Sequence, residues 1–134
     1  MINAFYLLSI VFCILGFSCS NVSPDAVELS VEFSWEGLKP CGWGNPEISI
    51  GGVPEETKKL VISMYDSVYL HDHGEVSVTY DGTGTIKMGV LEELQGPCPP
   101  DVPGRYKITV KALDDDDVVI GIGSKRRYYP EEDK

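Results

Sequence analysis

The sequence predicts an all-β chain folded into one sandwich or barrel-like β domain. Three observations lead there. Apolar and polar residues alternate with period two over several short runs. Segments rich in the chain's 14 glycines and nine prolines separate those runs. No stretch carries a helical period, and no internal repeat is present. At 134 residues the chain fits a single domain.

Taken in order, Ala26 to Trp35 alternates cleanly. Val27, Leu29, Val31, Phe33 and Trp35 share one face, which predicts a strand. Glu36 to Asn45 holds three glycines and a proline and reads as a loop. Glu47 to Ile50 is a short strand with Ile48 and Ile50 inward. Gly51 to Thr57 is a turn. Lys58 to Asp66 is a strand with Leu60, Ile62 and Met64 on one face; Val61 and Tyr65 on the other suggest that both faces are partly covered. Ser67 to His73 reads as an irregular loop and Glu75 to Tyr80 as another strand. Asp81-Gly82 is a hairpin signal before a short strand over Thr85 to Met88. Leu91 to Leu94 is a short strand or a turn. Tyr106, Ile108, Val110 and Ala112 alternate against Arg105, Lys107, Thr109 and Lys111, which predicts a half-buried strand. Asp114 to Asp117 is a hairpin loop; without a glycine or distal glutamate it is no EF-hand. Val118 to Ile122 is a strand, and Arg126 to Tyr129 packs as a last one. Trp35 and Trp43 are expected to pack in core and loop.

The ends bear on localisation. The first 18 residues hold no charged side chain and run into small residues, which predicts a signal peptide over 1–18. Gly16-Phe17-Ser18-Cys19-Ser20 resembles a lipobox, so cleavage is expected before a lipidated Cys19. Residues 19–25 read as a tether, 26–130 as the domain and 131–134 as an acidic tail. Export to the cell envelope follows, on the periplasmic side or as an outer-membrane lipoprotein, with plain secretion as the alternative. A net charge of −10 argues against nucleic acid and against adsorption to anionic lipid. Membrane contact is expected only through the lipid anchor, and a monomer is expected. Of four cysteines, Cys13 falls in the leader and Cys19 at the cleavage site, leaving Cys41 and Cys98 for the fold. In an exported chain these form one disulfide or remain two buried thiols.

Gly96-Pro97-Cys98-Pro99-Pro100, followed by Arg105-Tyr106 and Ala112-Leu113-Asp114, resembles the signature of the phosphatidylethanolamine-binding proteins. The small bacterial Raf-kinase-inhibitor-like branch is the nearest likeness. Cys41 to Asp66, with Gly52-Val53-Pro54 and Thr57-Lys58 inside it, is similar to a second family run. The resemblance implies a β-sandwich with Greek-key features, lacking the helices that usually follow Ala-Leu-Asp. It also puts Cys41 and Cys98 in the two matched loops, which favours the disulfide. It implies an anion pocket built from Asp66, His73, Gly96, Pro99, Pro100 and Tyr106. The family's second histidine has no counterpart, because Gly104 precedes Arg105.

Phosphate recognition needs several donors, so losing one imidazole should weaken it. A carboxylate at Asp66 beside His73 would orient the imidazole and raise its pKa. The alternative is that Asp66 merely caps a turn. His71 and His73, two apart on an extended chain, suggest a weak metal site, copper included, with no third firm ligand. No other cofactor is implied. No Gly-x-Ser-x-Gly elbow occurs, and Cys98 lacks a base, so an enzyme is not expected. Three readings remain: a non-enzymatic protein binding a small anion or a protein partner through a reduced pocket, an envelope metal-binding module, and a ligand-free interaction β-domain.

Overall fold

The computed structural model describes residues 21–131, and the expected leader, Cys19 and the final residues 132–134 lie outside them. Eight strands follow one another: β1 (Val22–Glu28), β2 (Ser30–Ser34), β3 (Glu47–Gly51), β4 (Lys59–Asp66), β5 (His71–Thr79), β6 (Thr85–Ile86), β7 (Gly104–Leu113) and β8 (Val119–Tyr129). No helix occurs among the described residues. Five strands form one sheet in the order β1-β8-β7-β4-β5, and three form the other as β2-β3-β6. The chain leaves β5, crosses to β6 in the second sheet and returns to β7 on the far side of β4.

The two sheets bury one apolar layer between them. Leu60, Ile62 and Met64 from β4 meet Ile108 and Val110 from β7. Val31 and Phe33 from β2, with Ile48 and Ile50 from β3, close it from the other side. Fully burying such a side chain contributes roughly 1.5–3 kcal/mol, which makes this layer the main source of stability. Trp35 completes the layer and satisfies its indole by donating Nε1–H to the Tyr128 carbonyl at 2.8 Å. Trp43, expected to pack in its loop, is instead exposed.

Several element boundaries differ from the sequence reading. Ala26 to Trp35 is two strands in two sheets, not one. The chain steps across at Leu29, and Val27 faces outward while Leu29 is buried. Glycines on β8 permit the step: a Cβ on Gly123 would run into the Leu29 backbone, and one on Gly121 would meet Leu29 Cδ2 at 2.9 Å. The stretch read as tether reaches into the fold, because Val22 to Asp25 belong to β1, which pairs in parallel with β8. Pro24 is tolerated there because β1 is a sheet edge. Val118 to Ile122 and Arg126 to Tyr129 are not separate; one strand, β8, runs through both. The strand read over Thr85 to Met88 shortens to two residues. Leu91 to Leu94 is a turn, with Leu94 N–H donating to the Leu91 carbonyl at 3.1 Å. β4 is central in its sheet, between β7 and β5, yet Tyr65 on its outer face is exposed.

The largest difference decides the site. His71 to His73 are strand, not loop. The β4–β5 register slips between Met64, opposite Gly74, and Tyr65, opposite Asp72, so His73 is the extra residue of a β-bulge. Period two counted back from Val78 and Val76 puts Gly74 inward and His73 outward. The bulge inverts that phase and turns His73 into the core face. Gly74 allows it, holding φ at 114°, where an L side chain is strained.

Candidate functional site

The end of the sandwich where β4 stops and β7 starts carries a recess of about 280 Å³. Asp66 comes from the last position of β4, His71 and His73 from the bulged start of β5, and Tyr106 from β7. Gln95, Cys98 and Pro100 close it from the proline-rich loop, with Tyr69 from the β4–β5 turn. Of the six positions the resemblance implies for an anion pocket, Asp66, His73, Pro100 and Tyr106 line the recess. Gly96 and Pro99 do not. Gly96 acts through its backbone: its N–H donates to the Gly42 carbonyl at 2.7 Å, an approach that a side chain would obstruct.

Cys41 and Cys98 are joined in a disulfide with Cα atoms 4.5 Å apart. Both residues are exposed. Cys41 N–H also donates to the Pro97 carbonyl at 2.9 Å, so covalent and backbone links together hold the loop beside the recess. A stable disulfide is compatible with an exported protein.

Asp66 is 1 % exposed. Its Oδ1 accepts from Val68 N–H at 2.8 Å, Tyr69 N–H at 3.4 Å and Arg105 N–H at 3.2 Å. One carboxylate oxygen thus caps the β4–β5 turn and ties the start of β7 to it. Turn capping and recess lining, set against each other in the sequence, are the same residue's two sides. Tyr106 is also 1 % exposed. Burial, followed by the charge of Asp66 and a hydrogen bond to it, pushes the phenol well above its usual pKa.

His73 is 6 % exposed and its ring stands 5.2 Å from that of Tyr106. Its partner is not Asp66, as expected, but Gln95. The His73 Nδ1 lies 2.9 Å from the Gln95 carbonyl oxygen, so the neutral ring carries its proton on Nδ1 and donates there. Gln95 N–H returns a bond to the His73 carbonyl at 2.9 Å. The His73 pKa moves down, opposite to the expectation. Burial lowers it most, ahead of the Gln95 hydrogen bond that raises it; His71 lowers it further, and Asp66 raises it only weakly. His73 is therefore a neutral imidazole at pH 7, its Nε2 without a hydrogen-bond partner among the described residues.

Gln95 is the residue that sequence reasoning missed. Beside its two backbone bonds to His73, its Oε1 lies 2.8 Å from His71 Nε2. One residue thus orients both imidazoles. Its only sequence signal is its place next to Gly96, which shows nothing about a partner 22 residues away. Tyr69 was missed as well. Its hydroxyl donates to the Val102 carbonyl at 2.8 Å and accepts from Val102 N–H at 2.9 Å, pinning the loop after Pro100.

The weak metal site read at His71 and His73 gains no third ligand among the described residues. The rings pack edge to face at 4.7 Å, and no group of three or more His, Cys, Asp or Glu among the described residues is placed to hold an ion. A ring nitrogen of each histidine is already bonded to Gln95.

No family model and no curated protein matches the chain. Among solved structures it is similar to a putative phosphatidylethanolamine-binding protein homologue, CT736, from Chlamydia trachomatis D/UW-3/CX. The TM-score is 0.55 at 21 % identity, over 81 % of this chain and 99 % of that one. The fold is that of a phosphatidylethanolamine-binding protein homologue. The all-β architecture and the resemblance read in the Gly-Pro-Cys-Pro-Pro signature agree with it.

On this phosphatidylethanolamine-binding fold, Gly104 stands where the resemblance expects a second histidine. The structure gives a reason for glycine. A Cβ there would collide with Asp66 Oδ2 and approach the Tyr106 hydroxyl to 2.6 Å. The Tyr106–Asp66 contact occupies the space that a side chain at position 104 would enter.

Proposed function

We propose that the chain is an exported, non-enzymatic binding protein that takes a small phosphate-type anion in the recess of Asp66, His73 and Tyr106. The observation that carries the reading is their convergence: β4, the bulge and β7 each deliver one polar side chain to a single concavity on a phosphatidylethanolamine-binding fold. Binding rather than catalysis is favoured because the cysteine lining the recess is held in a disulfide.

The chemistry sets a pH dependence. Neutral His73 spends its only N–H on Gln95, so Nε2 offers a lone pair to the recess. An anion is attracted once Nε2 gains a proton and becomes a charge-assisted donor. Binding therefore takes up a proton, and affinity rises as pH falls below 6.5, the ordinary histidine value that burial depresses here. Asp66, with Oδ1 saturated by backbone N–H groups, would repel a bare dianion. A ligand carrying an ammonium group, such as phosphoethanolamine, offsets that repulsion. The test is NMR of His73 during titration with phosphoethanolamine and with inorganic phosphate at acid and neutral pH. A larger shift at acid pH is expected; no shift at millimolar ligand at either pH sinks the reading. Export with lipid anchoring at Cys19 is part of the proposal, and labelling with a radioactive fatty acid before and after Cys19→Ala checks it.

A further inference from the structure

The outer face of the five-stranded sheet carries charge of the opposite sign to the chain. Arg105, Lys107, Lys111 and Arg126 make no ion pair with a described residue, although the net charge is −10. By contrast, Lys125 and Arg127, alternating with Arg126 on β8, both pair with Glu32. On β7, alternation with buried Tyr106, Ile108, Val110 and Ala112 turns the three cations outward. Lys107 and Arg126 stand directly opposite each other across β7 and β8. Like charges in that position cost stability, so the fold retains an unfavourable pair on an open surface.

Aromatic and hydroxyl groups fill the rest of the strip. Tyr128 is opposite Arg105, whose guanidinium lies 5.9 Å from the ring centroid. Tyr65 is opposite Lys107, and Ser124 is opposite Thr109. A depression of about 400 Å³ opens on this face. Ile122 and Ser124 form its floor, and Val27 and Glu28 face Lys107 and Thr109 across it.

Carboxylates frame the strip. Asp72 and Glu75 stand opposite Tyr65 and Ser63 on β5, Glu28 stands opposite Ile122 on β1, and Asp114 to Asp117 follow β7 just past Lys111. From strand spacing and rise, the basic strip is about 20 Å long and about 10 Å wide. A bilayer surface or a duplex is broader and would lay its phosphates on those carboxylates as well. An extended peptide is one strand wide, and its alternate side chains repeat every ~7 Å, the same period as Arg105 and Lys107.

We propose that this face docks an extended acidic peptide segment of a protein partner, its carboxylates on Lys107, Arg126 and Arg105 and an apolar side chain between Val27 and Ile122. The surface lies on the opposite side of the sheet from the side chains of the recess, so its occupancy is independent of the phosphate reading. The probe is a fluorescein-labelled peptide of about twelve residues alternating Glu and Val, long enough to span the strip. Anisotropy titration of the whole folded domain is expected to show binding that weakens with salt. K107E/R126E should weaken it by about tenfold or more, since both charges face the peptide. K39E/K87E makes the same change in net charge away from this face and should change it by less than about threefold. The neutral pair K107Q/R126Q, checked for native NMR dispersion, gives an intermediate loss and guards against misfolding of the reversal. Amide shifts confined to Lys107, Thr109 and Ser124 support the assignment. Equal loss in both double reversals, shifts centred on the recess, or no binding at millimolar peptide overturns it. Tighter binding of single-stranded DNA or of phosphatidylglycerol vesicles overturns the partner class. An unaltered His73 response to phosphoethanolamine in K107E/R126E keeps the two proposals separable.

Discussion

Asp66 ends β4 and Asp114 follows the neighbouring antiparallel β7 at the opposite end of the same sheet, and locally they do the same thing. Asp66 Oδ1 accepts from Val68 N–H at 2.8 Å; Asp114 Oδ1 accepts from Asp116 N–H at 2.9 Å and Val118 N–H at 3.0 Å. Each carboxylate turns the chain, as aspartate does wherever its side chain satisfies backbone donors just ahead. The surroundings differ. Asp114 is half-buried at the base of an acidic tip whose Asp115 to Asp117 are exposed, and Asp117 pairs with Lys59 at 2.6 Å. Asp66 lies under the proline-rich loop, with Tyr106 against its carboxylate. The same cap is a solvated turn at one end and the floor of a recess at the other. Cover makes the difference, and the cover comes from residues remote in sequence.

That contrast can be broken at four points. The largest effect is expected at the disulfide that holds the cover in place. Its cysteines are 57 residues apart, and closing a loop of that size stabilises by about 4 kcal/mol on the chain-entropy account. Cys41→Ser/Cys98→Ser should lower stability by about that much in urea unfolding. It should also shift NMR signals at His73 and Gln95 while leaving the Asp114 turn in place. Shifts spread evenly over both ends would show that the disulfide supports the whole sandwich, not one end.

The aspartates themselves come next. Asp66→Ala strands three half-buried N–H donors and should cost about 3 kcal/mol, against about 1 kcal/mol for Asp114→Ala. Equal losses in denaturant titrations would mean that burial does not distinguish the two caps.

The pH response should sharpen the contrast further. Burial depresses the His73 pKa in the folded state, so the unfolded chain takes up the proton more readily. The stability owed to neutral His73 is complete above the unfolded value of about 6.5 and is lost as pH falls through the lower folded value. A His73→Gln variant should show a flatter dependence of unfolding free energy on pH below 6.5 than the wild type. His71→Gln, at the exposed partner, should change that slope less. Identical slopes in all three proteins would remove His73 from the titration.

The smallest change is expected at the solvated end. Lys59 and Asp117 are bonded, but both side chains are exposed, and such pairs are worth at most about 1 kcal/mol. Lys59→Ala should move the thermal midpoint little, and added salt should erase what difference there is. A shift as large as that of Asp66→Ala would show that the acidic tip is more than a turn.

The legible part of this molecule was what local pattern encodes. Period two on Leu60, Ile62, Met64 and on Tyr106, Ile108, Val110 announced two inner faces, and both are buried as read. Where alternation is kept but the partner changes, pattern misleads. Val27 and Leu29 look like one face, yet the strand changes sheets between them because two glycines on β8 let the backbone cross. His73 looked like loop because Gly74 interrupts the alternation. Its inward orientation follows from a bulge defined only by pairing with β4.

By itself the sequence determined the inner faces of β4 and β7 and most of the turns, because each depends on residues a few positions apart; Asp66, His73, Pro100 and Tyr106 came from the resemblance. Tertiary structure alone decided which imidazole is buried, that Gln95 rather than Asp66 orients it, and that its pKa falls instead of rising. The physical reason is that burial and hydrogen-bond partners are set by chains that meet in space. His73 and Gln95 stand 22 positions apart along strand and turn, and no local preference reports what stands at the other end.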